Sequence, residues 1–394
     1  MGKSLLHCQT LVFAQHINAG AARLNGSGDL SQFFTILFRP RGDPIQHFGG
    51  FTVHRKNIAQ RLRDTRRTNV HVSGLDVGFY QTDNRSVNRA QQGGRNNISG
   101  TPMNSTFSDV FCQSADGLKL HARDYAPANA TTALPVLCLP GLTRTTEDFD
   151  GIAAALSQVK TAPRRVVAID YRGRGLSDHD PDPAKYAVPV EAGDVQAIAA
   201  SLGIEKAIMI GTSRGGMIAM VLAATQSALV AGVVLNDFGP ALEITGLVRI
   251  KNYIAKDKLP SSLDEAVAGI KALFGRDFPK LTDADWMARA NRSFTENNGK
   301  LIKTHDPALA AAFAGIDPAN PPPPAWKLFD KMASKPLMLI HGGRSDLLSA
   351  QGVADMMARR SDIDLVEVPD EGHAPLLADA PTIQRIAAFC ARCD

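Results

Sequence analysis

The five residues Gly211-Thr212-Ser213-Arg214-Gly215 join an apolar, strand-like run at 206–210 to an Ala/Met/Leu-rich, helix-like run at 216–224. A serine between two glycines at a strand-to-helix turn is forced into a tight elbow that lifts its hydroxyl clear of a sheet. The glycines are required because the turn brings the strand and helix backbones together, and a Cβ at either flank would clash. This arrangement makes Ser213 the candidate nucleophile. The spacing alone also fits an ordinary glycine turn, and the flanking strand and helix patterns favour the functional reading.

A serine hydroxyl attacks only when a base takes its proton, so a histidine and an orienting carboxylate are needed elsewhere in the chain. Five of the ten histidines fall before residue 104, and His341 stands at a strand-to-loop junction. His373 follows an alternating, strand-like segment at 363–368 and lies on the loop Pro369-Asp-Glu-Gly-His373-Ala-Pro375, free to reach over a sheet. For the acid, Asp346 ends the glycine-rich turn His341-Gly-Gly-Arg-Ser-Asp346, after the apolar run 336–340. It is the first choice to orient the imidazole, although a turn or N-cap role fits it too. Asp237, after the run 232–235, ranks second.

From about Phe107 onward the chain resembles the α/β-hydrolase superfamily. Four blocks carry the resemblance in the family's order: Leu139-Pro-Gly-Leu142, Asp170-Tyr-Arg-Gly-Arg-Gly-Leu-Ser177, the serine elbow, and the turns holding Asp346 and Gly372-His373. The resemblance implies an α/β fold, with a mostly parallel eight-stranded sheet, helices on both faces and a helical cap. Short apolar runs near residues 135, 166, 207, 232, 336 and 363 alternate with helical periodicity, which independently gives the rhythm of a parallel sheet. The resemblance also implies an oxyanion hole from the backbone N–H groups of Leu142 and Arg214. The chain departs from the family in having Pro140 where a histidine is usual, which stiffens that loop without removing the Leu142 donor. The block at 170–177 reads as a tight turn whose charges pair with one another to hold neighbouring loops. The Arg214 side chain has two readings, contact with an acidic substrate or with a nearby carboxylate.

The expected organisation is a hydrolase core in two parts, 105–238 and 335–394, with a helical cap at 239–334 between them. The interruption is far longer than an ordinary connection. Helical stretches are expected at 263–274, 283–294 and 307–313, and Pro321-Pro-Pro-Pro324 as a stiff return. Tyr253, Phe274, Trp286, Met287 and Trp326 either line a substrate pocket or form the cap's own core.

Residues 1–104 differ in kind. They carry about thirteen Lys and Arg against about five Asp and no Glu, near +8, which leaves about −4 for the rest of a chain of net +4. A basic arm, a transit peptide and upstream sequence preceding a true start at Met103 are the three accounts, the last being favoured. No apolar stretch approaches the roughly 18 residues of a membrane span.

Five scattered cysteines fit a reducing, cytoplasmic setting rather than a disulfide framework. Cys390-Ala-Arg-Cys393 lacks a second pair or a nearby histidine, no metal-site grouping surrounds His373, and no dinucleotide fingerprint follows a first strand. The expectation is therefore a serine esterase without cofactor or metal, acting on a small-molecule ester and not on nucleic acid or membrane. Serine rather than aspartate at the elbow disfavours dehalogenase and epoxide hydrolase chemistry, leaving lactones, amides and carbon–carbon bonds behind esters. A non-catalytic ligand-binding protein on the same fold is the alternative of another class.

Overall fold

The computed structural model describes residues 107–129, 131–159, 162–254 and 258–394. Readings that fall on residues 1–104 lie outside the described residues.

Two antiparallel strands come first, β1 (Ser108–Gln113) and β2 (Lys119–Tyr125). The elements then run β3 (Val136–Leu139), α1 (Asp150–Gln158), β4 (Val166–Asp170), α2 (Val188–Ser201), β5 (Ala207–Thr212), α3 (Arg214–Thr225) and β6 (Val230–Asn236). Between β6 and the next sheet strand lie α4 (Ile244–Ile254), α5 (Leu263–Phe274), α6 (Asp283–Ser293), a two-stranded hairpin of β7 (Phe294–Asn297) and β8 (Lys300–Lys303), a 3-10 turn at Pro307–Phe313 and α7 (Trp326–Asp330). The chain closes with β9 (Leu337–Gly342), α8 (Ala350–Arg359), β10 (Asp364–Val368) and α9 (Ala380–Cys393).

Eight strands form one sheet in the order β1-β2-β4-β3-β5-β6-β9-β10. Every pairing from β4 to β10 is parallel, and only β1 and β2 run against their neighbours. This is the mostly parallel eight-stranded sheet expected from the sequence.

Strands β3, β4, β6 and β9 are buried along their whole length, as helices on both faces require. The two-residue period of a strand then sorts side chains between two cores. Leu137, Leu139, Val167, Ile169, Met209, Val233 and Leu339 face one side, packed by α2, α3 and α8. Val136, Cys138, Val166, Ala168, Ile208, Val234 and Ile340 face the other, packed by α1 and α9.

Cys390 and Cys393 belong to that second core, and burial pushes the Cys393 thiol up to about 11. They are packing residues, with Cys393 Sγ filling the space above Gly232.

In the long segment between β6 and β9, two of the three expected helices coincide with α5 and α6, and the third winds as the 3-10 turn. Ser262 caps α5 and a Thr282–Asp285 capping box starts α6. Helix α4 and the β7–β8 hairpin had no legible signal. Trp286 sits among Ala266, Ile270, Phe278 and Ala290 as the core of α5 and α6. Trp326 instead packs against the main core beside Phe329.

Candidate active site

Parallel strands deliver their carboxyl ends to one edge of the sheet, so the loops after β3, β5, β6, β9 and β10 converge there. Ser213 occupies the turn between β5 and α3 with φ 52° and ψ −112°, a left-handed backbone rare for a residue with a Cβ. Its neighbours show why glycine is needed. A methyl group on Gly215 would lie 1.9 Å from the Leu139 carbonyl oxygen, and one on Gly211 would lie 2.4 Å from the Gly215 oxygen. The Ser213 N–H is held by the Asn236 carbonyl at 3.1 Å, which ties the elbow to the end of β6.

The hydroxyl of Ser213 lies 2.9 Å from His373 Nε2. On the other side of the ring, His373 Nδ1 lies 2.7 Å from Asp237 Oδ2. A ring protonated at Nδ1 donates to Asp237 and leaves Nε2 to accept from the serine hydroxyl. The Asp237 carboxylate is fully buried and accepts two further hydrogen bonds, from the Ser345 hydroxyl at 2.6 Å and the Gly342 N–H at 3.0 Å. Those bonds leave the acid one orientation, with the remaining Oδ2 direction pointing at the imidazole.

Asp346, the acid favoured from the sequence, is not the carboxylate hydrogen-bonded to the histidine. Its carboxylate pairs with Arg249 of α4, with Nη2 donating at 2.6 Å. Burial pushes the Asp346 carboxyl up, but the guanidinium outweighs it and holds the group below its ordinary value. The physical reason for the correction lies in strand order. β6 is the immediate neighbour of β5, so a residue just past its end stands beside the elbow, and the Asp237 backbone at φ 52° turns the side chain across the strand ends. The residue after β9 that faces the site is Ser345, which holds Asp237. Asp237 and Asp346 each follow an apolar run, so the sequence offered both acids without separating them.

The loop 140–142 approaches the elbow from β3. A methyl group on Gly141 would stand 3.8 Å from Ser213 Cβ. The Leu142 N–H has no hydrogen-bond partner among the described residues. Arg214 opens α3, and a first-turn N–H has no carbonyl one turn back to bond. Two N–H groups without a backbone partner thus flank Ser213 in the chain and in the neighbouring loop, the Arg214 one at the positive end of a helix.

The Arg214 side chain turns away from the site to Glu191 of α2, donating at 2.7 Å. Of its two sequence readings, this is the carboxylate one. Glu191 is fully buried and also pairs with Arg174 at 2.7 Å. Arg174 in turn donates to the Leu142 carbonyl at 2.8 Å. The charges of the 170–177 block thus pair outside it, Asp170 with His121, Arg172 with Asp180 and Asp194, and Arg174 with Glu191, while the block does hold a neighbouring loop, the one facing the serine. Gly175, at φ 55°, is packed directly against the Asp170 carboxylate, and that carboxylate holds the Thr146 N–H at 2.8 Å. Arg174 stood out only as part of the 170–177 block, and Glu191 and Asn236 carried no signal in the sequence, because their roles depend on neighbours distant in the chain.

Ser213 and His373 open into a cavity of about 1240 Å³. Its walls include the 140–144 loop, α4, α5 and α6. Tyr253 and Phe274 line it with ring centres 5.7 Å apart, whereas Trp286, Met287 and Trp326 do not. Among the described residues no group of His, Cys, Asp and Glu is arranged to hold a metal ion, and no helix is long and apolar enough to cross a membrane.

Comparison with known proteins places this geometry in context. The sequence model of the alpha/beta hydrolase family matches residues 136–385. A 3-hydroxybutyrate-oligomer hydrolase of Cupriavidus necator is 33% identical over 295 residues, spanning 69% of this chain and 94% of that protein. A 2-(acetamidomethylene)succinate hydrolase of Mesorhizobium japonicum is 27% identical over 60% of this chain and 81% of its own length. Among solved structures, an alpha/beta hydrolase from Novosphingobium aromaticivorans superposes with a TM-score of 0.66 at 36% identity, covering 73% of this chain and 98% of that one.

Proposed function

We infer that this chain, which belongs to the alpha/beta hydrolase family, is a serine hydrolase that cleaves carboxylic esters through Ser213, His373 and Asp237. The single observation that carries the reading is the continuous hydrogen-bonded path from the Ser213 hydroxyl through both nitrogens of His373 to the buried Asp237. His373 takes the serine proton as Ser213 Oγ attacks the acyl carbon, and Asp237 stabilises the imidazolium that forms. The carbonyl oxygen becomes an oxyanion, held by the Leu142 and Arg214 N–H groups. Collapse expels the alcohol, which carries away the proton from His373, and leaves an acyl-serine. Water then attacks by the reverse sequence, with His373 again the base, to release the acid.

The cap formed by α4, α5 and α6 encloses the acyl carbon and excludes water from it. An ester is favoured over an amide or a carbon–carbon bond by the likeness to a 3-hydroxybutyrate-oligomer hydrolase, since oligomers of a hydroxy acid are joined by ester bonds. A protein that only bound ligands would have no use for the oriented base.

The test is labelling by a fluorophosphonate together with hydrolysis of nitrophenyl esters of graded acyl length. The wild-type chain is expected to label and turn over, and Ser213→Ala to lose both, with turnover falling by about 10⁴-fold or more. Unlabelled wild-type protein that stays inert on every ester would sink the reading.

A further inference from the structure

The cap wall of the cavity holds a buried cation with no hydrogen-bonded or ion-paired carboxylate of its own. Arg289 of α6 is 8% exposed, and its guanidinium makes no hydrogen bond or ion pair among the described residues. Buried arginines are ordinarily paired, because burial of an uncompensated charge is costly.

The surroundings explain why no internal partner is available. The guanidinium carbon lies over the rings of Phe274 and Phe278, 5.1 and 5.3 Å from their centres, so aromatic carbon rather than a carboxylate packs against the group. The carboxylate that acts on it, Asp148, is taken by Arg144 and also faces Arg292 Nε at 3.4 Å. Glu371, on the loop before His373, spends an oxygen on the Leu376 N–H at 2.7 Å. Tyr253 faces the group from α4. Three guanidinium groups thus share one close carboxylate. Burial, reinforced by Arg144 and Arg292, lowers the Arg289 pKa to about 9, so at neutral pH the group is still charged.

Arg289, Ser213 and His373 line the same cavity. Arg144 connects the two regions, since it lies in the loop that carries Leu142 and donates to Ser293 at the end of α6 at 3.2 Å.

We propose that Arg289 binds a carboxylate of the substrate, so that the preferred esters are anionic, carrying a free carboxylate at one end and the scissile ester at the other. A planar guanidinium edge matches a carboxylate through two parallel hydrogen bonds, and in a buried wall that pairing discriminates strongly against an uncharged group. This assignment rests on the reading of Ser213 as nucleophile only for the direction in which the ester is presented. The anion site itself is independent of it.

The test therefore separates binding from chemistry. In Ser213→Ala protein, which cannot turn over by the proposed route, calorimetric affinity is compared for monoethyl succinate, monoethyl glutarate and monoethyl adipate and for their diethyl counterparts. At least one monoester is expected to bind ten-fold or more tightly than its diester, and the added change Arg289→Gln to remove that difference. Binding of the diester by the double variant reports that it is folded, and Ser213→Ala with Arg289→Lys should keep part of the preference. Equal affinity for every acid and diester pair, or a preference that survives Arg289→Gln, overturns the proposal. In the otherwise wild-type enzyme, the ratio of kcat/KM for 4-nitrophenyl hydrogen glutarate over its methyl-capped diester should fall at least ten-fold with Arg289→Gln. A wild-type protein that binds monoesters selectively yet cleaves no ester would refute the nucleophile and leave the anion site standing.

Discussion

Arg174 Nε donates to the carbonyl oxygen of Leu142 at 2.8 Å, so a fully buried guanidinium grips the loop that approaches Ser213. The same arginine is anchored by Glu191, which also receives Arg214 from the residue after the serine. One carboxylate thereby sets the spacing between the two peptide units proposed to bind the oxyanion. Because the proposed donors act through their backbone and Arg174 acts on one of them through the loop, Arg174 is a positioning residue.

Arg174→Gln is therefore expected to lower kcat by roughly ten- to hundred-fold per active site, with KM changed less than three-fold, since a misplaced donor weakens the transition state more than the bound ester. Active-site titration with a fluorophosphonate normalises for folded protein. A variant with less folded enzyme but unaltered kcat per titrated serine would limit Arg174 to structural support.

The identity of the acid can be decided by two isosteric changes. Asp237→Asn removes the acceptor for His373 Nδ1–H and favours the wrong tautomer, so kcat should fall by about 10⁴-fold. Asp346→Asn disturbs the partly exposed pair with Arg249 and should alter kcat by about three-fold at most. If the Asp346 variant were the inactive one, the arrangement described for His373 would be wrong.

Asp148 governs a pH dependence of stability. Burial raises its carboxyl, but Arg144, Arg292 and Arg289 outweigh burial and hold it below its ordinary value. A carboxylate with a depressed folded pKa stabilises the fold above its unfolded value, about 3.9, and that contribution is lost as the pH falls through the folded value. Asp148→Asn should thus cost about 2 kcal/mol at pH 7, and the deficit should shrink as the pH drops below about 3.9. Urea denaturation of both proteins at pH 7, 5 and 3 measures it, and a deficit independent of pH would argue against the electrostatic origin.

Gly215→Ala places a methyl group 1.9 Å from the Leu139 carbonyl oxygen, a backbone atom that cannot swing aside. A loss of stability of about 3 kcal/mol is expected, together with loss of turnover as α3 is forced away from β3. Denaturant midpoints check the first and ester hydrolysis the second. Wild-type stability in this variant would mean that the elbow is looser than its geometry indicates.

Local chemistry was enough for much of this protein. The apolar runs mark buried strands because a sheet covered on both faces admits little else, and Gly211 and Gly215 mark the elbow because backbone sterics there depend only on residues adjacent in the chain. His373 stood out because its loop follows the last strand. The acid did not, since Asp346 and Asp237 are both carboxylates after apolar strands, and nothing along the chain tells which strand end lies beside the serine. That depends on the crossovers that seat β6 against β5 and leave Asp346 within reach of Arg249. Pairing among charges is equally a matter of three dimensions. Glu191 with Arg174 and Arg214, and Arg289 against two aromatic rings without an ion pair, became visible only after folding had assigned every buried charge its neighbours, because a Coulomb interaction acts through space and carries no periodicity along the sequence.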